Sequence, residues 1–350
     1  MVAYFISKTD LLYLSYNKPL WGVQLDILWL NQDDVKAVLD MPSAMDAVEK
    51  AFAEHGKKKV QMPPKPYLYF PKHNGDLRTM PAFLEEDDIA GVKIVNVHPE
   101  NRKKGLPTVM AVFVLNSTET GAPLAIMDAT YLTNMRTGAA GGVAAKHLAR
   151  KDSKVAGFVG GGNQARCQLL GLSESFDLEC VKVYTRSSAS ANSFVSFAEK
   201  LLSCDVVVAE TISDVCQSDI VVTATPSRNP IVKEEWIAEG THINAIGADA
   251  QGKEELDPLI LKRGRVVVDD KLQAFHSGEV NVPLSSGIIT EDMICCEIGE
   301  VITGLKKGRV SEKDITIFDS TGLAIQDVAV GNLVYRRAIE SGIGENLKMF

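Results

Sequence analysis

The stretch VAGFVGGGNQAR, residues 155–166, is a short apolar run broken by three glycines and then by small and polar side chains. The run reads as a strand and the segment after it as the opening of a helix. Between them, Gly160-Gly161-Gly162-Asn163-Gln164-Ala165 fits the spacing G-x-G-x-x-A. Gly160 permits the tight turn and Gly162 lets the backbone approach a pyrophosphate. Ala165 takes the small-residue position where helix and strand pack closely. The helix-terminal N–H groups then meet the phosphate charge. Taken alone, such a triplet is only a tight strand–helix turn, so its surroundings decide.

Those surroundings support nucleotide binding. VAGFVG, VKVYT, VVVA, DIVVTAT, THINAIG and RVVVD are short, β-branched, nearly continuous apolar runs separated by helical or loop segments. That texture belongs to a parallel sheet covered on both faces. Six such strands match a dinucleotide-binding fold. An NAD site usually carries an acid about 20 residues past the loop, at the end of the second strand. Here that strand ends in Thr185-Arg186-Ser187-Ser188. Arg186 with its serines can hold a 2′-phosphate, which favours NADP(H) over NAD(H); a solvated loop cation is the plainer alternative.

Upstream the texture differs. DILWL reads as a strand from Asp26, Asn31 or Asp33 as a cap for a helix through Val35 and Val38, and Pro42 to about Gly56 as a second helix. KPYLYF, DLRTMPAF, GVKIVNVH, TVMAVFVLN and PLAIMD follow without intervening helices, so antiparallel pairing is expected. TYLTNMRTGAAGGVAAKHLAR then reads as a long helix whose Ala and Gly content suits close packing. Downstream, DSTGLAIQDVAVGNLVYRRAIESG carries an apolar stripe that can return the chain to its N-terminal part. The expected fold is therefore α/β, with a Rossmann-type domain at 146–317 inserted in a discontinuous α+β substrate and dimerisation domain of 26–145 plus 318–350. Residues 1–25 read as an extension.

Composition narrows the partners. The chain has 350 residues, 45% hydrophobic and 23% charged, in the range of ordinary globular proteins. A net charge of −8 without a basic stripe excludes nucleic acid as an expected partner. No apolar run is long enough to span a membrane, and the start is a poor signal peptide. The six cysteines show no C-x-x-C spacing and read as buried thiols in a reducing, cytoplasmic compartment. No metal-ligand spacing is present.

Several cations interrupt apolar strands, where desolvation disfavours them unless they are partnered. They are Lys65 in MPPKPYL, Arg78 in DLRTMPAF and Lys93 in GVKIV, with Arg136 in MRTGAAGG. Singly, each reads as a snorkelling or edge cation. Together beside a nucleotide domain they point to a pocket for a small carboxylate, which Arg can hold bidentately. Asp249 follows THINAIG at the carboxyl end of a strand, where ligands of such sheets bind. It can act as acid or base, or cap the helix that follows. His147 and His242 read as packing residues, and His98 as a residue that could line the site.

The string MPPK, LRTMPAF, GVKIVNVHPENRKKGLPTV, TGAPLAIMDATYLTNMRTGAAGG, VGGGNQAR, TATPSRNPIV, GTHINAIGADAQGKEELDP and DSTGLAIQD resembles the ornithine cyclodeaminase/mu-crystallin family, from about residue 26 to 345. The resemblance implies that Lys65 and Arg78 line the substrate pocket, that Lys93 and Arg136 contact the substrate's carboxylate or imine, and that Asp249 acts near the reacting carbon. It implies a cofactor site of Gly160, Gly162, Asn163, Gln164 and Ala165 with Thr223, Ala224, Thr225 and Ser320, Thr321 and Gly322 nearby. A homodimer is implied as well.

AQGKEELDP after Asp249, and MPPKPYL, look like the alanine dehydrogenase branch, so the expected activity interconverts a small L-amino acid with its 2-oxo acid and ammonia using NAD(P). In that mechanism Lys93 and Asp249 handle protons while Arg136 and Arg78 fix the carboxylate. An ornithine or lysine cyclodeaminase and a cyclic ketimine (pyrroline-2-carboxylate) reductase share the first oxidation and stand as alternatives. An NADPH-dependent ligand binder without catalysis stands behind them, because both proton-handling residues are present.

Overall fold

A computed structural model describes residues 26–349; the N-terminal extension expected at 1–25 lies outside the described residues. The chain begins with β1 (Asp26–Leu30), α1 (Gln32–Val38), α2 (Met41–Gly56), β2 (Val60–Gln61) and β3 (Tyr67–Phe70). It continues through β4 (Gly75–Leu84), β5 (Ile89–Val97), β6 (Val109–Ser117), β7 (Pro123–Asp128) and α3 (Thr130–Leu148). Asn31 caps α1 by accepting from the Asp33 and Asp34 amides, and Asp40 caps α2 by accepting from Ser43.

The expected run of antiparallel strands is present: β4 pairs with β3 and β5, β5 with β6, and β6 with β7, all antiparallel. One face of this sheet is apolar and sealed. Met80, Ala82 and Leu84 of β4 alternate inward with period two, as do Ala111, Phe113 and Leu115 of β6. They join one core with Val328, Val330 and Val334 of the returning C-terminal helix. Fully buried Phe113 contributes on the order of 1.5–3 kcal/mol by leaving water.

The second half runs β8 (Val155–Val159), α4 (Asn163–Ser173), β9 (Cys180–Tyr184), α5 (Ser188–Leu201), β10 (Asp205–Val208), α6 (Ile212–Cys216), β11 (Ile220–Thr223) and β12 (His242–Ala245). Then come α7 (Pro258–Arg263), β13 (Arg265–Val268), α8 (Lys271–Ser277), α9 (Asn281–Ser285), β14 (Ile294–Glu297), α10 (Ile298–Ile302) and β15 (Thr316–Asp319). α11 (Ala324–Ser341) and β16 (Glu345–Lys348) return to the first sheet, where β16 pairs with β1.

The second sheet is entirely parallel, ordered β10-β9-β8-β11-β12-β15-β13-β14. It has eight strands rather than the six expected. β15 enters between β12 and β13, so RVVVD is not the neighbour of THINAIG. The reason lies in non-local pairing: TIFD is four residues long, with Thr and Asp at its ends, and its β character comes from complete burial between two neighbours. β15 also straddles the boundary expected between residues 317 and 318.

Two backbone-close helix contacts join the halves. A Cβ added to Gly138 of α3 would fall 2.2 Å from the Cys167 carbonyl of α4, and one on Gly171 would fall 2.3 Å from the Gly138 carbonyl. Gly299 of α10 likewise presses on α2, 2.2 Å from the Phe52 carbonyl for an added Cβ. An alanine at Gly138 forces overpacking worth about 1–3 kcal/mol. Among the described residues no helix is long and apolar enough to cross a membrane.

Candidate functional site

The glycine loop leaves β8 with Gly160 at φ +107, in the left-handed region, where a Cβ would also meet the Ala224 carbonyl at 2.7 Å. Gly162 is different: a Cβ there would meet nothing within 4 Å. Its smallness keeps space open above the loop instead of relieving a contact inside the protein. No side chain caps α4, so the N–H groups of its first turn face that space. Open room, an uncapped 11-residue helix and its positive end together fit a phosphate group. Ala165 is fully buried against the sheet, as the motif requires.

The loops beyond the neighbouring strands are pinned by buried carboxylates. Glu255 accepts from the Thr225 amide at 2.7 Å and the Gly247 amide at 2.9 Å, fixing the turns after β11 and β12. Asp269, at the end of β13, accepts from the Thr321 and Gly322 amides at 2.7 and 2.8 Å. Burial raises the Asp269 carboxyl to about 6, against the hydrogen bond from Thr321 and the nearby Lys65 charge.

Between this edge and the first sheet lies a cavity of about 240 Å³. Lys65, Arg78, Lys93, Arg136 and Asp249 all line it, together with Gln164, Ala224, Thr225, Ser320, Thr321 and Gly322. Gly160 and Gly162 belong to the adjoining loop, Asn163 and Ala165 to the first turn of α4, and Thr223 to the end of β11. Arg186 stands exposed after β9, making no hydrogen bond or ion pair among the described residues.

At the cavity floor Lys93 is 1% exposed, with its ammonium 2.7 Å from Oδ2 of Asp327 in the first turn of α11. Arg136 donates from Nε to Oδ1 of the same carboxylate at 3.0 Å, the oxygen that also accepts from Lys93 at 2.8 Å, and from Nη1 to Gln326 at 3.0 Å. Two buried cations thus share one anion. Burial, reinforced by the Arg136 charge and opposed by Asp327, lowers Lys93 to about 7. Lys65 donates to the Thr321 and Gly322 carbonyls at 2.9 and 3.3 Å, and burial lowers it to about 8.

At the rim, Asp76 holds Arg78 bidentately at 2.9 and 3.2 Å, and Arg78 reaches across to Asp249 at 3.0 Å. Tyr67 covers the guanidinium with its ring centroid 5.0 Å away. Lys253 closes the other side of Asp249 at 2.5 Å. Burial works against the charge on Asp249, but Lys253 and Arg78 outweigh it and hold the carboxyl well below its usual range.

Asp249 is not a helix cap, since Asp257 caps α7 by accepting from the Leu259 amide. His98 stacks on Phe70 at 5.9 Å and is not among the residues lining the cavity. His242 is fully buried between Thr316 and Asn244, and burial lowers it to about 3. His147 bonds Glu49.

Sequence reasoning missed Asp327, Gln326, Lys253 and Asp76. One signal was available for Asp327: a lysine inside an apolar strand requires a buried anion, and DSTGLAIQD supplies one.

Fold and site together define a two-part α/β protein in which a Rossmann-type half faces a cation-lined cavity. The family model for the ornithine cyclodeaminase/mu-crystallin family matches residues 26–342, and the chain belongs to that family. An alanine dehydrogenase of Archaeoglobus fulgidus is 55% identical over 327 residues, covering 93% of this chain and 99% of the relative. The solved structure of an archaeal alanine dehydrogenase dimer with bound NAD superposes with a TM-score of 0.90 at 54% identity, covering 93% of this chain and all of that one. Thermococcus litoralis Δ1-pyrroline-2-carboxylate reductase, in complex with NADH and L-proline, gives a TM-score of 0.89 at 40% identity, covering 92% of this chain and 100% of that one.

Proposed function

We propose that the protein is an NAD(P)-dependent oxidoreductase that interconverts L-alanine with pyruvate and ammonia. One observation carries the reading: the buried Lys93–Asp327–Arg136 group is one anion short and opens into the cavity that the glycine loop adjoins. A substrate carboxylate supplies that missing charge. The relative of 55% identity supports alanine as the amino acid.

The open side of Gly162 and the uncapped start of α4 would hold the pyrophosphate, with Gly160, Asn163, Gln164 and Ala165 shaping the loop and Thr223, Ala224, Thr225 and Ser320 to Gly322 flanking it. When bound, the nicotinamide supplies hydride exchange with the substrate's α carbon. Arg136 orients the carboxylate, with Arg78 and Lys65 lining its approach. Lys93, lowered to about 7, takes and returns a proton at the substrate nitrogen or at water. Asp249 stays ionised and works as an acceptor that positions Lys253 and Arg78.

The free guanidinium of Arg186 fits a 2′-phosphate, so NADP(H) is the preferred cofactor in this reading. Arg186→Ala then lowers the preference for NADPH over NADH by about tenfold, the worth of one charge-assisted hydrogen bond. The outer face of the first sheet carries exposed Trp29, Ile94, Met110 and Val112. It fits a second copy of the chain, and sedimentation reads the dimer directly. The six unpaired cysteines accord with a reducing, cytoplasmic setting.

The test follows nicotinamide absorbance with pyruvate and ammonia, using NADH and NADPH separately. Steady oxidation supports the reading. Silence there, with oxidation on adding a cyclic imine, moves the assignment to a ketimine reductase. Ammonia release from ornithine without net cofactor change moves it to a cyclodeaminase. Cofactor binding without turnover of any of these substrates leaves a ligand binder.

A further inference from the structure

Outside the residues that line the cavity, the pairing of β13 with β14 slips by one residue. Ile294 lies opposite Val266, and Cys296 lies opposite Val267. Cys295 is therefore the extra residue of a β-bulge. Neighbouring side chains on a regular strand point to opposite faces. The bulge defeats that alternation and brings the two sulfurs to 3.6 Å, with the Cys296 thiol donating to Cys295.

A second donor converges on the same sulfur. Nη2 of Arg265 lies 3.3 Å from the Cys295 Sγ. The guanidinium is held there by the Gly308 carbonyl at 2.6 Å, the Lys307 carbonyl at 2.9 Å and Asp314 at 3.7 Å. The Lys307 carbonyl is also 3.8 Å from the Cys295 sulfur, too long to draw a proton from it strongly. Lys306 adds positive charge on this side, and Glu300 of α10 opposes it.

The two thiols differ in burial. Cys296 is fully buried, whereas Cys295 is half-buried and reachable from outside. The buried sulfur keeps its proton and lends it to the exposed one. The hydrogen bond from Cys296 lowers the Cys295 thiol; burial opposes this and the Arg265 charge assists it. Burial moves Cys167 and Cys216 the other way, up to about 12.

We propose that Cys295 is a thiolate modification site, open to hydroperoxides and soft electrophiles, that the bulge creates and Arg265 and Cys296 hold. With a hydroperoxide the thiolate attacks one peroxide oxygen. The S–O bond forms as the O–O bond breaks, the sulfur loses two electrons to the peroxide, and the leaving oxyanion takes a proton from water. The product is a sulfenic acid at Cys295.

Iodoacetamide labelling of the full chain, read peptide by peptide from pH 6 to 9, tests this. Below its pKa of about 8.5, an ordinary thiol labels about tenfold faster for each unit the pH rises. Labelling at Cys295 should change by less than about twofold between pH 7 and 8, while Cys204 climbs about tenfold. Cys296→Ala and Arg265→Gln should each restore the steep profile at Cys295. If Arg265→Gln does not fold, as far-UV circular dichroism will tell, Cys296→Ala carries the comparison. Under limiting hydrogen peroxide with dimedone present, oxidation should appear at Cys295 first, as the trapped sulfenic acid or as a bond to Cys296. A Cys295 profile as steep as that of Cys204, or peroxide oxidising Cys204 first, overturns the proposal.

Discussion

The floor and the rim of the cavity use the same residue types to opposite ends. Lys93, Asp327 and Arg136 come from β5, α11 and α3, all packed in or on the first sheet, and they are buried at the cavity floor. Arg78, Asp249 and Lys253 bridge the two halves, since Arg78 lies on β4 and the other two follow β12. On the floor two cations share one anion. At the rim two cations meet two carboxylates, Asp76 and Asp249. The difference bears on the proposed chemistry: in that reading the unbalanced buried group is the one that binds an anion and exchanges a proton near neutrality, and the balanced one serves as a brace.

Four measurements would break or sharpen that contrast. Lys93→Met should reduce turnover by about 10²–10⁴-fold, the usual worth of a positioned proton carrier, while fluorescence titration still shows nicotinamide cofactor binding. Turnover near wild type would erase the distinction between floor and rim. Asp327→Asn should cost about 3–5 kcal/mol in urea denaturation, because it strands two buried cations without their carboxylate.

Asp249→Asn should spare stability to within about 1 kcal/mol, since Arg78 keeps its bidentate hold on Asp76. Turnover in this variant should still fall by about a hundredfold if the brace positions the substrate. A loss of stability as large as that of Asp327→Asn would show that the rim is no mere brace. The last effect is a shift in pH dependence. Lys93 must be neutral to accept a proton, so amino-acid oxidation should rise as pH climbs through about 7 and then level off. Asp327 favours the charged form of Lys93, so Asp327→Asn should move that rise to lower pH; movement to higher pH would contradict the assignment.

Much of this was legible in the sequence wherever local chemistry announces itself. The glycine loop, the β-branched parallel strands and the cations embedded in apolar runs each break a local rule in a way that only a ligand or a buried partner repairs. What stayed hidden was non-local. Asp327 looks like one polar residue in an amphipathic helix, and only the fold of α11 over β5 buries it against Lys93. The place of β15 between β12 and β13 is a pairing choice that no four-residue segment encodes. The bulge at Cys295 is likewise a matter of register. Asp249 showed two faces in the sequence, and the structure removes one of them by giving α7 its own cap.

The glycine seam between α3 and α4 limits how the molecule can move. Gly138 and Gly171 put backbone directly against backbone, and buried Gln168 of α4 locks the same seam by donating to the Thr137 carbonyl of α3 at 2.7 Å, so the helices have little room to slide. Breathing of the cavity mouth about that fixed seam would move Arg78 against Asp249, which the two halves supply separately. If products leave by such a pivot, breaking the Arg78–Asp249 pair should speed their release while the floor of the cavity keeps its place.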